Sequence, residues 1–149
     1  MSLDIKNELS KLIDINEDAC EFYESAQEKT DNPQFKSTFR ELEQLHKNVI
    51  GNMQQHIIDS EGPIEPDQTF TGQTQKFWGE LMSSISNDVN ETLVTHLEEA
   101  EDRCLHSIQD AIEKDDMPTD TVVMLQKEMI TLKKTHDYMK DLKDTLKAA

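Results

Sequence analysis

Four residues carry most of the chemistry this sequence could perform: Glu43, His46, Glu101 and His136. Glu43 and His46 stand three apart, so a helix puts them one turn apart on the same side. A Glu-x-x-His pair on a bundle helix is the pattern that holds carboxylate-bridged iron or manganese, because it aims an oxygen and an imidazole at one point. His46 interrupts an apolar series, Phe35, Phe39, Leu42, Val49, Met53 and Ile57, whose members are joined by helical steps. His136 takes the same kind of place among Val122, Leu125, Met129, Leu132 and Met139. Glu101 stands at the edge of a third stripe, Leu93, Leu97, Ala100, Cys104, Ile108 and Ala111. Asn16 interrupts a fourth, Ile5, Leu9, Leu12, Cys20 and Tyr23. Each interruption falls near the middle of its helix, which predicts one shared polar layer. Such a layer is costly unless its groups bind each other, water or a metal.

Two positions argue against a full di-metal centre. Lys133 stands three residues before His136, where a second Glu-x-x-His would have its Glu, and Asn16 offers an amide instead of a carboxylate. A lysine ammonium is a poor neighbour for a divalent ion and a good substitute for one. The expectation is therefore a Lys133–Glu43 ion pair, or a water-filled polar layer, with His46 and His136 alongside and Asn16 and Tyr23 completing it. Two alternatives stay open: one Fe, Mn or Zn ion held by His46, His136 and one or two of Glu43 and Glu101, or a complete di-metal centre. His96 reads as surface or boundary, and His56 and His106 lack a partner at metal spacing. The methionines, among them Met53, Met82, Met124, Met129 and Met139, read as core filler.

The elements that must position these groups are all helices. Helix formers fill the long stretches, and only 4 Gly and 4 Pro interrupt them. The first helix is predicted over about 2–29 and the second over about 33–59, with Asn32 as cap and Pro33 at its first position. Residues 60–67 contain two prolines and a glycine and must break. A short helix over about 71–84 carries Phe77, Trp78 and Leu81, with Trp78 as an anchor onto the bundle or an exposed docking residue. Asp88 and Glu91 form a capping box for the next long helix, to about 114. Residues 115–118 turn, and the last helix runs from a cap at Thr119 or Asp120 to about 146. The first and last connections are short, which makes hairpins. The middle one is long enough to cross the height of a bundle, predicting an up-down-down-up order. The chain reads as one all-α domain over 1–149.

With 31 acids against 15 bases the net charge is −16. That excludes binding to a phosphate backbone through clustered Lys and Arg, and it disfavours an anionic membrane surface. No stretch approaches the length of an apolar membrane span, and the first residues do not read as a signal peptide, so a cytoplasmic location is expected. Cys20 and Cys104 lack a CxxC partner and read as small, buried, reduced hydrophobes.

The chain resembles an uncharacterised group of bacterial ferritin-like four-helix-bundle proteins, known mainly as a domain of unknown function. The residues that carry the likeness are Leu12 to Asp18 with Tyr23, Phe39-Arg40-Glu41-Leu42, the Gly72 to Trp78 stretch, Glu101-Asp102 and His136-Asp137. In ferritin helices a tyrosine often follows the first ligand at the spacing that separates Asn16 from Tyr23. The resemblance implies the fold, a bacterial source, a cytoplasmic location and a loose link to stress responses, and it implies no enzymatic activity. Three functions compete: a structural or partner-binding bundle with a degenerate metal site, a metal-binding or redox protein, and a small-molecule binder around Trp78. A homodimer through an apolar helix face is expected, and an unidentified protein partner fits the first reading.

Overall fold

The computed structural model describes residues 4–61 and 89–148. These residues form four long α-helices: α1 (Ile5–Lys29), α2 (Pro33–Glu61), α3 (Val89–Ile112) and α4 (Thr119–Ala148). There are no strands among them. The short helix expected over 71–84, its Trp78 and the cap at Asp88 lie outside the described residues.

Local chemistry sets the helix ends. The Asp4 side chain caps α1 by accepting from Asn7 N–H at 3.1 Å. At the other end Thr30 turns extended while its N–H still reaches the Ala26 carbonyl at 3.0 Å. Asn32 Oδ1 accepts from Gln34 and Phe35 N–H at 2.9 and 3.2 Å, so the expected Asn32–Pro33 start is present. Thr30 also ties the hairpin to the start of α3, its hydroxyl donating to Asn90 Oδ1 at 2.7 Å. Between α3 and α4, Asp116 adopts φ 66°, the left-handed conformation that Asp tolerates in tight turns.

The contacts between helices give their directions. On α1 and α2, Asn16 meets His46 while Gln27 meets Glu43. On α3 and α4, Glu98 meets Lys143 while Asp102 meets His136. On α1 and α3, Glu8 meets Lys114 just beyond α3, Tyr23 meets Glu101, and Thr30 meets Asn90. On α2 and α4, Asn52 meets Glu128 and His56 meets Thr121. In each pair one number rises as the other falls, so all four neighbouring pairs are antiparallel. Consequently α2 and α3 run the same way on one diagonal, α1 and α4 on the other, and the order is up-down-down-up.

One apolar cluster fills the space between the four helices. Leu9, Phe39, Met53, Leu97, Ile108 and Leu132 are inaccessible to solvent within it. Each such side chain contributes about 1.5–3 kcal/mol by leaving water. The stripe on α4 differs from the expected one. Its buried residues are Thr121, Leu125, Glu128, Leu132, Thr135 and Met139, spaced four and three apart in alternation. Val122, Met129 and His136 sit one residue further along, on the flank.

Candidate functional site: a buried polar network

Along those core faces three of the four polar interruptions meet: Asn16, His46 and Glu101. His46 and Glu101 are wholly buried, as is Tyr23, and Asn16 and Thr135 are each 1% exposed. α1 contributes Asn16 and Tyr23, α2 contributes His46, α3 contributes Glu101 and α4 contributes Thr135. The centre of the network is the Glu101 carboxylate. His46 Nε2 lies 2.9 Å from both its oxygens. The Tyr23 hydroxyl donates to Oε2. Thr135 Oγ1 stands 2.8 Å from Oε1 and 3.0 Å from the Leu132 carbonyl, sharing one proton between them.

The protonation of His46 Nδ1 follows from its neighbours. Asn16 Nδ2 donates to the Leu12 carbonyl at 2.8 Å, and this fixes which end of the amide faces inward. Asn16 Oδ1 therefore lies against His46 Nδ1 at 2.8 Å, and Nδ1 must carry a proton. On the other side of the ring Nε2 and the carboxylate share the remaining hydrogen bond, so His46 and Glu101 each have their hydrogen-bonding positions filled from the protein. The Tyr23 ring also packs beside the His46 ring, 5.8 Å between centroids. Burial, and then the Glu101 charge, push the Tyr23 phenol well above its ordinary range, so it stays a donor.

Other expected members lie elsewhere. Glu43 is buried, but its oxygens turn to Gln27 Nε2 at 2.7 Å and Lys47 Nζ at 3.1 Å, away from His46 and Glu101. Lys133 is exposed and pairs with Asp137 at 2.9 Å, so the Lys133–Glu43 ion pair is not formed and Lys133 is not in the layer. His136 sits on the α3–α4 flank with Nε2 2.6 Å from Asp102 and Nδ1 3.0 Å from Asp137. It is outside the layer because Thr135 holds the inward position on α4. Thus Asn16, Tyr23, His46 and Glu101 come together, whereas Glu43, Lys133 and His136 do not join them.

Thr135 is the member that sequence reasoning missed, together with two polar residues on the same stripe. Glu128 accepts from Asn52 Nδ2 at 2.6 Å, and Thr121 Oγ1 lies 2.9 Å from His56 Nε2. The signal for them is the seven-residue spacing of Thr121, Glu128 and Thr135, interleaved with Leu125, Leu132 and Met139. Cys20 and Cys104 are buried free thiols beside the network. Burial pushes Cys20 up to about 12 and Cys104 well above its usual range, so neither is a ready nucleophile.

The family model for a domain of unknown function, DUF2383, matches residues 4–114, and the chain belongs to that family. The matched stretch spans α1, α2 and α3, and so includes Asn16, Tyr23, His46 and Glu101. No curated protein and no solved structure matches the chain. No helix among the described residues is long and apolar enough to cross a membrane.

Proposed function

We propose that this protein is a ferritin-like bundle whose mid-bundle metal position has been replaced by an internal ion pair, and that it serves as a structural or partner-binding helical module. The observation that carries this reading is the His46–Glu101 pair, wholly buried and hydrogen-bonded on every side. Its charge balance favours the module over a metal carrier. Glu101 is the only carboxylate that touches His46 among the described contacts, so a divalent ion here would leave an uncompensated positive charge in the core, which is strongly unfavourable. An imidazolium supplies the one positive charge that Glu101 needs.

The outer face of α4 supports a partner-binding role. Val123 and Ile130 are each 59% exposed and Tyr138 is 49% exposed, on the side away from the core. α4 carries six lysines against five acids, whereas acids outnumber bases on each of the other helices. α4 is thus the helix without an excess of acids, so contact between the α4 faces of two copies avoids acid–acid repulsion, and a homodimer through α4 fits best. Sedimentation should give a species of twice the 17.2 kDa chain, reduced to monomer by Ile130→Glu. A monomer at all concentrations would end the dimer. For the core, iron, manganese and zinc added to the purified chain should leave the His46 and Tyr23 signals in NMR spectra unchanged. Stoichiometric uptake that perturbs them would reject the proposal.

A further inference from the structure

A different set of groups lies on the flank of the α3–α4 hairpin. Glu98 and Asp102 stand four apart, so α3 presents both carboxylates on one side. α4 runs antiparallel beside them and brings His136 between. One ligand atom from each of the three lies within 4.8 Å of the other two, and among the described residues no other trio of His, Cys, Asp and Glu converges in this way. From this arrangement the geometry points to a site for a divalent cation of the zinc class, held by Glu98, Asp102 and His136.

The ring of His136 is set up as a ligand. Its Nδ1 lies 3.0 Å from Asp137 Oδ1, and Asp137 is itself held by Lys133 through Oδ2 at 2.9 Å. A carboxylate behind Nδ1 orients the imidazole, and this is the outer partner that metal-bound histidines ordinarily have. Nε2 then faces Asp102 Oδ1 at 2.6 Å, and an ion entering here displaces a proton from Nε2. Charge favours the flank over the core. Two carboxylates cancel a divalent ion and a neutral imidazole adds nitrogen, whereas the core offers His46 one carboxylate. One nitrogen and two carboxylates suit zinc, with water completing four positions. Magnesium and calcium prefer oxygen alone.

The His136 side chain is 14% exposed and that of Asp102 42%, so an ion reaches the site without opening the core. Lys143 Nζ stands 3.5 Å from Glu98 Oε2, a loose contact on a flexible stem that an incoming ion displaces.

The test uses the full chain, stripped with a chelator and titrated with Co²⁺ as a spectroscopic probe and Zn²⁺ as competitor. One Co²⁺ per chain is expected, with visible bands of a nitrogen–oxygen site, no thiolate charge-transfer band, and displacement by Zn²⁺. His136→Asn and Asp102→Asn should each weaken binding at least about 100-fold, and Asp137→Asn by about 10–100-fold, with the helical circular dichroism unchanged. Cys20→Ser should bind as the native chain does. The assignment is overturned by absence of stoichiometric binding, by a thiolate band, or by affinity that survives His136→Asn. Binding that is lost with His46→Gln but kept with His136→Asn would overturn it and the closed-core reading together.

Discussion

At the scale of single residues, the molecule's unusual feature is a histidine and a glutamate that face each other where solvent does not reach. Such a pair gives little net stability against a well-packed apolar pair, yet removing one partner strands the other's charge. Glu101→Ala is therefore expected to cost about 3–5 kcal/mol in urea unfolding, from the stranded imidazolium. Asn16→Ala, which leaves Nδ1 without its acceptor, should cost about 1–3 kcal/mol. Tyr23→Phe should cost about 1.5–3 kcal/mol, because it removes one donor from a buried carboxylate. Losses below about 0.5 kcal/mol at all three sites would mean that water, not the protein, satisfies Glu101. Glu43 differs in that its partners, Gln27 and Lys47, reach it from the bundle's edge.

At the scale of elements, α4 separates what was readable in the sequence from what was not. Helices α1, α2 and α3 bury the apolar residues their periodicity picks out, apart from the half-buried Ile5 and Phe35 at the helix starts, so Asn16, His46 and Glu101 could be placed in the core by the gaps they leave. On α4 half of the buried positions are polar: Thr121, Glu128 and Thr135. The apolar residues beside them, Val122 and Met129, shift the apparent stripe round by one residue, and His136 is carried inward with it. Burying those polar groups is tolerable because His56, Asn52 and Glu101 meet them, and a partner on another helix leaves no mark in local periodicity. Leu132→Ala should thus cost about 2–5 kcal/mol, while Ile130→Ala on the outer face should change stability by less than about 0.5 kcal/mol. Unfolding curves giving the reverse order would refute the register of α4. On α2, Gly51 lies within the helix, and a Cβ there would meet nothing within 4 Å. Gly51→Ala should accordingly stabilise the chain by about 0.5–1 kcal/mol.

At the scale of the whole molecule, charge governs the response to pH. Burial raises Glu17, Glu21 and Glu128, and neighbouring acids add to it at Glu17 and Glu21. Carboxyls raised in the fold bind protons more readily there than in the unfolded chain, so they favour folding as pH falls. Burial opposes the charging of His136, but hydrogen bonds to Asp137 and Asp102 prevail and raise it. Its contribution is complete below the ordinary histidine value and lost as pH rises through its folded value. Glu8, held down chiefly by its hydrogen bond to Lys114, and Asp137, held down by His136, act oppositely and lose their contribution only in stronger acid. Above about pH 9 the unfolded chain ionises Cys20, Cys104 and Tyr23 first, which favours unfolding. Tm should peak at about pH 5–6 and fall steadily toward pH 9. A maximum above about pH 8 would contradict this ordering. Salt should also raise Tm at neutral pH, since it screens a net charge of −16.

The most direct test of the closed core is a long-range proton–nitrogen NMR spectrum of the imidazoles at neutral pH. His46 should show two protonated ring nitrogens whose protons exchange slowly with water and ignore added iron, manganese or zinc. A bare Nε2 that shifts on metal addition would contradict the account.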